Sequence, residues 1–228
     1  PKMKPYIFME RNGIHIIDLK KTLLHLNKAC EAMTELVSRG GDVLFIGTKK
    51  QAKDVIKVEA ERCGMPYVTE RWLGGTLTNF VTIRKSVKRL KNLEKKAIDG
   101  TYDKLTKKEI LTIERDKEKL YKMLGGIRDM NRLPNAILVV DAKKEAIAVR
   151  EAGRLNIKIF ALLDTNSDPE LVDYVIPVND DAFKSINLVT HALADAVIAG
   201  NAGRTERQAV ADAEVDEVET TFRLDEEE

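Results

Sequence analysis

Lys49 follows Gly47-Thr48 directly after the apolar run Val43–Ile46. A lysine and unpaired amides at a strand-to-helix turn can hold an anion. A P-loop needs two glycines bracketing four residues before Lys-Ser/Thr, and Ile46-Gly47-Thr48-Lys49-Lys50 offers one glycine. Asp141 and Asp164 close two later apolar runs, at the sheet edge where α/β enzymes place their sites, and Asp168 and Asp180-Asp181 come soon after. Such carboxylates could bind Mg²⁺ or serve as base or phosphoacceptor, which outlines a nucleotide- or Mg²⁺-dependent enzyme using Lys49, Asp141 and Asp164. Aspartate equally suits the turns and helix caps of DTNSDP and VNDD, and that reading is preferred here. No Ser or Cys nucleophile with a His base is evident. His15, His25 and His191 are isolated from one another and from metal-ligand spacing. Cys30 and Cys63 form no CxxC pair and are expected to be free thiols of a reducing cytosol.

A second chemistry, neutralisation of phosphates, fits the charge distribution better. The formal net charge is +1, but Val81 to Met123 holds 14 Lys/Arg against 7 Asp/Glu, and Asp212 to Glu228 holds 9 Asp/Glu against one Arg. An average that hides two opposite blocks says little about partners, and the basic block is the informative one. Lys2, Lys4 and Arg11 near the start, Lys49 and Lys50, Arg71, and Arg84, Lys85, Lys88 and Arg89 are the candidate phosphate contacts. Such contacts need no motif spacing and weaken with salt. Few of them have aromatic neighbours, which favours a folded RNA's shape and backbone over base readout.

The stretch RWLGGTLTNF (71–80) joins these two regions and contains the only tryptophan. Arg71, Trp72, Thr78 and Asn79 offer a guanidinium, a stacking face and hydrogen-bonding groups to RNA. On local evidence the preferred reading is a structural elbow, with Trp72 packed on the domain and Thr78 or Asn79 capping the next helix.

The elements that must position these residues follow from periodicity. Tyr6–Met9 and Ile14–Ile17 flank Asn12-Gly13, a hairpin signal. Asp18 caps a helix with apolar positions Leu19, Leu23, Leu26, Cys30, Met33 and Val37. Val43–Ile46, a helix opened by a Thr48/Gln51 capping box, and Met65–Val68 make a βαβ unit. Two basic helical arms follow, with Phe80, Ile83, Val87, Leu90 and Ala97 on one seam and Ile110, Ile113, Leu120 and Leu124 on the other. Asp99-Gly100-Thr101-Tyr102 turns the chain between them, Thr106 and Glu109 form a second capping box, and Leu105 staples onto Ile110. Narrow seams between charged faces fit an antiparallel coiled-coil hairpin. The α/β pattern then resumes with a strand at 136–140, a helix at 143–155, a strand at 157–163, a short edge strand at 175–178 and a last helix capped by Asp181. The expected organisation is one α/β parallel-sheet domain (1–78 and 125–200), an inserted hairpin (79–124) and an acidic mobile tail (201–228). No apolar run reaches the length of a membrane span.

PKMKPYIF, RNGIHIIDL, VLFIGTKKQA, RWLGGTLTNF, TIRKSVKRL, LGGIRDM, LPNAILVVD, FALLDTNSDP and VIPVNDDA occur in the order found in the bacterial small-subunit ribosomal protein S-two family, which this chain resembles from Pro1 to about Gly200. The resemblance implies a three-layer α/β/α flavodoxin-like domain with a protruding coiled coil, bound to 16S rRNA at the head–body junction of the small subunit. It also implies neighbouring small-subunit proteins as partners, among them ribosomal protein S-one, a cytoplasmic location in the ribosome, and neither catalysis, cofactor nor small-molecule substrate; no metal ligands are expected among the residues of this sequence. Arg71, Trp72, Gly74, Gly75, Thr78 and Asn79 match the family's hallmark motif. The family pattern opens earlier, with a basic segment carrying a His-Gly-His element whose contacts lie outside this sequence. A pure protein–protein scaffold acting through the hairpin is the remaining alternative, and it would show little salt-dependent affinity for RNA.

Overall fold

A computed structural model of the chain describes residues 2–99 and 106–225, and their side chains except at 97–98 and 206–225. The expected hairpin is present: β1 (Ile7–Arg11) pairs antiparallel with β2 (Ile14–Ile17). Asn12 (φ 52°) and Gly13 (φ 75°) both take the positive φ that a tight two-residue turn requires. Helix α1 (Leu19–Ser38) starts on the Asp18 cap, whose carboxylate accepts from the Lys20 amide.

The layers come from apolar runs without alternation, since a strand covered on both faces has no wet side. β3 (Val43–Ile46), α2 (Lys53–Cys63) and β4 (Tyr67–Val68) precede the long helical pair, α3 (Phe80–Ile98) and α4 (Lys107–Leu124). After it come β5 (Ala136–Val140), α5 (Ala146–Arg154), β6 (Lys158–Leu163), β7 (Tyr174–Pro177) and α6 (Phe183–Asp225). The strands form one parallel sheet in the order β4-β3-β5-β6-β7. Counted from β3 this is 2-1-3-4-5, the flavodoxin order expected above. Pro177 sits on the edge strand, where its missing N–H costs no ladder bond.

Alternate residues of each strand feed two cores. Phe45, Leu138, Phe160 and Ile176 meet α1, α2 and α6 on one face. Leu44, Ile137, Ile159 and Leu163 meet α5, Trp72, Leu77 and the base of the helical pair on the other. In the pair, Ile83, Val87, Leu90 and Leu124 are buried, and Arg84 near the start of α3 reaches Asn131 beyond the end of α4, so the helices run antiparallel. The Thr106/Glu109 box closes as expected. The Gly100–Tyr102 part of the turn and the Leu105 staple lie outside the described residues.

Several local expectations give way to longer-range partners. The Thr48/Gln51 box does not form: α2 starts five residues later, and the Thr48 amide and hydroxyl donate to Glu145. Asn79 occupies the N-cap position of α3 without capping an amide; its Oδ1 accepts from the Thr82 hydroxyl instead. Asn179, not Asp181, accepts from the amides that lead into α6. The helix expected from Lys143 begins at Ala146. Only the later part of the α1 stripe is buried; Leu19 and Leu23 face outward. The segment expected as a mobile tail continues α6 to Asp225, and its Ala- and Glu-rich composition favours helix.

α6 passes Gly200 without breaking because α1 lies against it. A Cβ at Gly200 would stand 2.8 Å from the Thr34 carbonyl oxygen and 2.8 Å from Val37 Cβ. Thr34 also donates its hydroxyl to the Ala196 carbonyl at 3.0 Å. Gly200→Ala is therefore expected to destabilise the fold by about 1–3 kcal/mol through overpacking, read as a lower urea midpoint. An unchanged midpoint would show that the two helices have slack there.

Among the described residues no helix is long and apolar enough to cross a membrane. Burial raises the thiol pKa values of Cys30 and Cys63, the latter to about 11, so neither is a ready nucleophile.

Candidate nucleic-acid interface

The loop before α3 is built around a carboxylate that arrives from the far side of the hairpin insertion. Glu151, on the inward face of α5 between Val149 and Ala152, is buried. Its Oε1 accepts from the Trp72 indole N–H at 3.1 Å and the Gly75 amide at 2.7 Å. Its Oε2 accepts from the amides of Leu77 (3.0 Å) and Thr78 (3.1 Å) and from the Thr78 hydroxyl (3.1 Å). Burial alone would raise the Glu151 pKa, but the bonds from Gly75, Thr78, Trp72 and Leu77 outweigh it and hold the carboxyl below its ordinary value. Gly75 takes φ +89°, which lets successive amides turn toward one acceptor. Trp72 is consequently a core residue whose indole edge is occupied, and its faces lie in the apolar cluster beneath the sheet. Arg71, Gly74, Thr78 and Asn79 are the exposed members of the motif. The sequence signal for Glu151 was a lone charge inside an apolar helix face, between Ala148-Val149 and Ala152.

Lys49 is also drawn inward. Its Nζ lies 2.6 Å from Asp180 Oδ1, 2.6 Å from Asp181 Oδ1 and 3.4 Å from Asp141 Oδ2, at the carboxyl ends of the strands. Burial would lower the Lys49 pKa, but the bonds to Asp180 and Asp181 prevail and raise it. Asp180 is buried and moves the other way: desolvation and the neighbouring Asp141 and Asp164 raise its pKa against the pull of Lys49. Asp164, Asp180 and Asp181 bring carboxylate oxygens within 4.8 Å of one another. Lys49 thus serves as the counter-charge of a carboxylate cluster, and a phosphate would have to displace three acids to reach it. Asp168 caps a short turn and, with Glu170, binds Lys2 at 2.7 and 2.6 Å. The histidines are equally local. His25 packs edge-on to Tyr6, His191 contacts Glu59, and His15 lies exposed opposite Glu10.

On the helical pair, the cations divide into tied and untied. Arg84 donates to the Asn131 carbonyl at 2.7 Å, Arg89 faces Asp116 at 3.7 Å, Lys91 binds Asp129 at 2.9 Å, and Arg128 reaches Glu94 at 3.3 Å. Lys85, Lys88, Lys95 and Lys96 are exposed and have no ion-pair partner among the described residues. At 100° per residue, 85, 88 and 95 share one face of α3, opposite the seam of Ile83, Val87 and Leu90. Lys4, Arg11, Lys50 and Arg71 are likewise exposed and unpaired among the described residues. Of the thirteen residues singled out in the sequence as RNA contacts, Trp72 is buried, Lys49 nearly so, and Lys2, Arg84 and Arg89 are engaged within the chain.

Comparison with known proteins agrees with this architecture. The family model of ribosomal protein S2 matches residues 1–200. The small ribosomal subunit protein uS2 of Chloroherpeton thalassium is 62% identical over 198 residues, 87% of this chain and 79% of that protein. The uS2 proteins of Chlorobium luteolum and Chlorobaculum tepidum are 54% and 56% identical, covering 96% and 95% of this chain and 87% and 86% of their own lengths. A match across the sheet domain, the hallmark loop and the hairpin together leaves one assignment: the chain belongs to the ribosomal protein S2 family, whose members are structural and not enzymatic.

Proposed function

We propose that the chain is a structural component of the small ribosomal subunit that binds small-subunit rRNA through the outer face of α3. The observation that carries this reading is the line of unpaired ammonium groups at Lys85, Lys88 and Lys95, with Lys96 beside it. A fold that ties Arg89, Lys91 and Arg128 into ion pairs yet leaves this face of α3 uncompensated suits a polyanion. Arg71, Asn79 and Thr78, the last held by Glu151 just before α3, extend the contact toward the sheet domain. Lys4, Arg11 and Lys50 supply further phosphate contacts.

The β1–β2 ribbon and the first turns of α1 have a different character. Phe8, Ile14 and Leu19 are 69%, 69% and 77% exposed. This apolar surface supports a protein-docking role, and the partner that the family resemblance names is ribosomal protein S-one.

Salt titration tests the RNA contact. Each phosphate contact adds about 0.7 to 0.9 to the slope of log affinity against log salt. Lys85→Gln/Lys88→Gln/Lys95→Gln is expected to flatten the slope for small-subunit rRNA by about 2 to 3. Arg84→Gln/Arg89→Gln, which removes tied cations, is expected to change the slope by less than about 1. An unchanged slope in the lysine variant would overturn the α3 assignment.

A further inference from the structure

Past residue 200, where the family match ends, α6 runs on to Asp225 as an arm. From Asp212 to Glu228 the sequence holds 9 Asp/Glu against one Arg. The arm leaves the domain at a weak point. Gly200 is locked against Thr34 and Val37 of α1, but a Cβ at Gly203 would meet Ser38 Cβ alone among the described residues, at 3.9 Å. Glycine is the weakest helix former after proline, so α6 bends most easily at Gly203.

The exit lies beside the base of the hairpin. The guanidinium carbon of Arg204 is 3.9 Å from where a Gly40 Cβ would stand. The Gly40 carbonyl accepts from Arg132 at 2.6 Å, and the carbonyl of Asn131, the preceding residue, accepts from Arg84 of α3 at 2.7 Å. Arg84 adjoins Lys85, the first of the unpaired lysines on the outer face of α3. Length does not limit the contact: Arg204 to Asp225 spans about 33 Å as a helix, and the whole of α3 about 28 Å. Among the described residues nothing neutralises Lys85, Lys88 and Lys95, and the block of opposite charge in the same chain is this arm.

We propose that in the unassembled protein the acidic arm bends at Gly203 and lies along Lys85, Lys88 and Lys95 of its own α3, where small-subunit rRNA displaces it. Non-cognate RNA, held by fewer contacts, is kept off the lysines by the same carboxylates. The displacement rests on the α3 reading above; the contact between arm and lysines does not.

Zero-length carbodiimide cross-linking of the full chain, mapped by mass spectrometry on the monomer, reads the contact directly. Links are expected between Lys85, Lys88 or Lys95 and carboxylates of 212–228, and they should disappear when small-subunit rRNA is added. Links found only in a dimer would give the arm to a second copy and overturn the intrachain contact. Links confined to other lysines, or none at all, would overturn it as well. Links that persist on the rRNA-bound protein would refute the displacement, and the salt slope of Lys85→Gln/Lys88→Gln/Lys95→Gln then decides whether the α3 reading falls with it.

A charge variant tests the shielding. Glu214→Gln/Glu217→Gln/Glu219→Gln keeps helix propensity and removes three carboxylates. Exposed ion pairs are individually weak and screened by salt, so affinity for a non-cognate RNA duplex is expected to rise about three- to tenfold at low salt and not at high salt. With Lys85, Lys88 and Lys95 already changed to glutamine, the same substitutions are expected to add nothing. An equal gain in both backgrounds would reveal a long-range charge effect without contact and overturn the proposal.

Discussion

Glu151→Ala is expected to be the most damaging single substitution in the sheet domain, costing about 3–5 kcal/mol of stability. It strips an acceptor from the indole of Trp72, three backbone amides and a hydroxyl around a buried carboxylate. For a chain of this size the melting temperature should fall by about 10 °C. Glu151→Gln keeps one acceptor oxygen and should lose roughly half as much. The pH dependence separates the charge from the packing. A carboxyl whose folded pKa is depressed contributes stability that is complete above the unfolded value of about 4.3 and disappears as pH falls through the folded value. The gap between wild type and Glu151→Gln should therefore be constant at neutral pH and close in acid. Equal melting of wild type and Glu151→Ala at pH 7 would show that the loop holds its shape without the carboxylate.

Lys49→Met should rank second, at about 3–5 kcal/mol, because it leaves Asp180 buried without a counter-charge beside Asp141, Asp164 and Asp181. Its deficit also shrinks in acid, but through a carboxyl whose pKa is raised and not depressed. Burial, Asp141 and Asp164 already raise the Asp180 pKa, and loss of Lys49 raises it further. A folded state that binds a proton more tightly than the unfolded chain gains stability on acidification. The Lys49→Met deficit should accordingly be largest at pH 7–8 and shrink toward pH 4–5. A deficit independent of pH would mean that the lysine contributes through its aliphatic stem. In the enzyme alternative Lys49 would wait for a phosphate; in the fold it completes a cluster of acids.

What the sequence discloses and what it withholds divide along physical lines. Short uninterrupted runs such as Val43–Ile46 and Ala136–Val140, rich in Val, Ile and Phe or Leu and bounded by turn residues, read as doubly covered strands, and Asn12-Gly13 specifies its own turn, so the sheet and the hairpin are legible. The arms are legible because a narrow apolar seam recurs at helical spacing. Partnerships across long separations are not. Glu151 meets the Trp72 loop from 79 residues away, and Glu145 takes Thr48 from 97 residues away, overriding a local capping pattern. Charge counts share this blindness. Arg84 and Lys85 are adjacent cations in the sequence, yet one is bonded to Asn131 and the other points outward unpaired. Only the fold sorts neutralised cations from available ones.

The central claim is that unpaired lysines on α3 hold the protein on small-subunit rRNA. Its most direct test is incorporation into small subunits assembled without this protein, scored by co-sedimentation across salt for wild type, Lys85→Gln/Lys88→Gln/Lys95→Gln and Arg84→Gln/Arg89→Gln. Wild type and the arginine variant should sediment with the subunits at moderate salt, while the lysine variant should be released at markedly lower salt. Retention of the lysine variant to the same salt as wild type would contradict the account and place the anchoring contacts elsewhere on the chain.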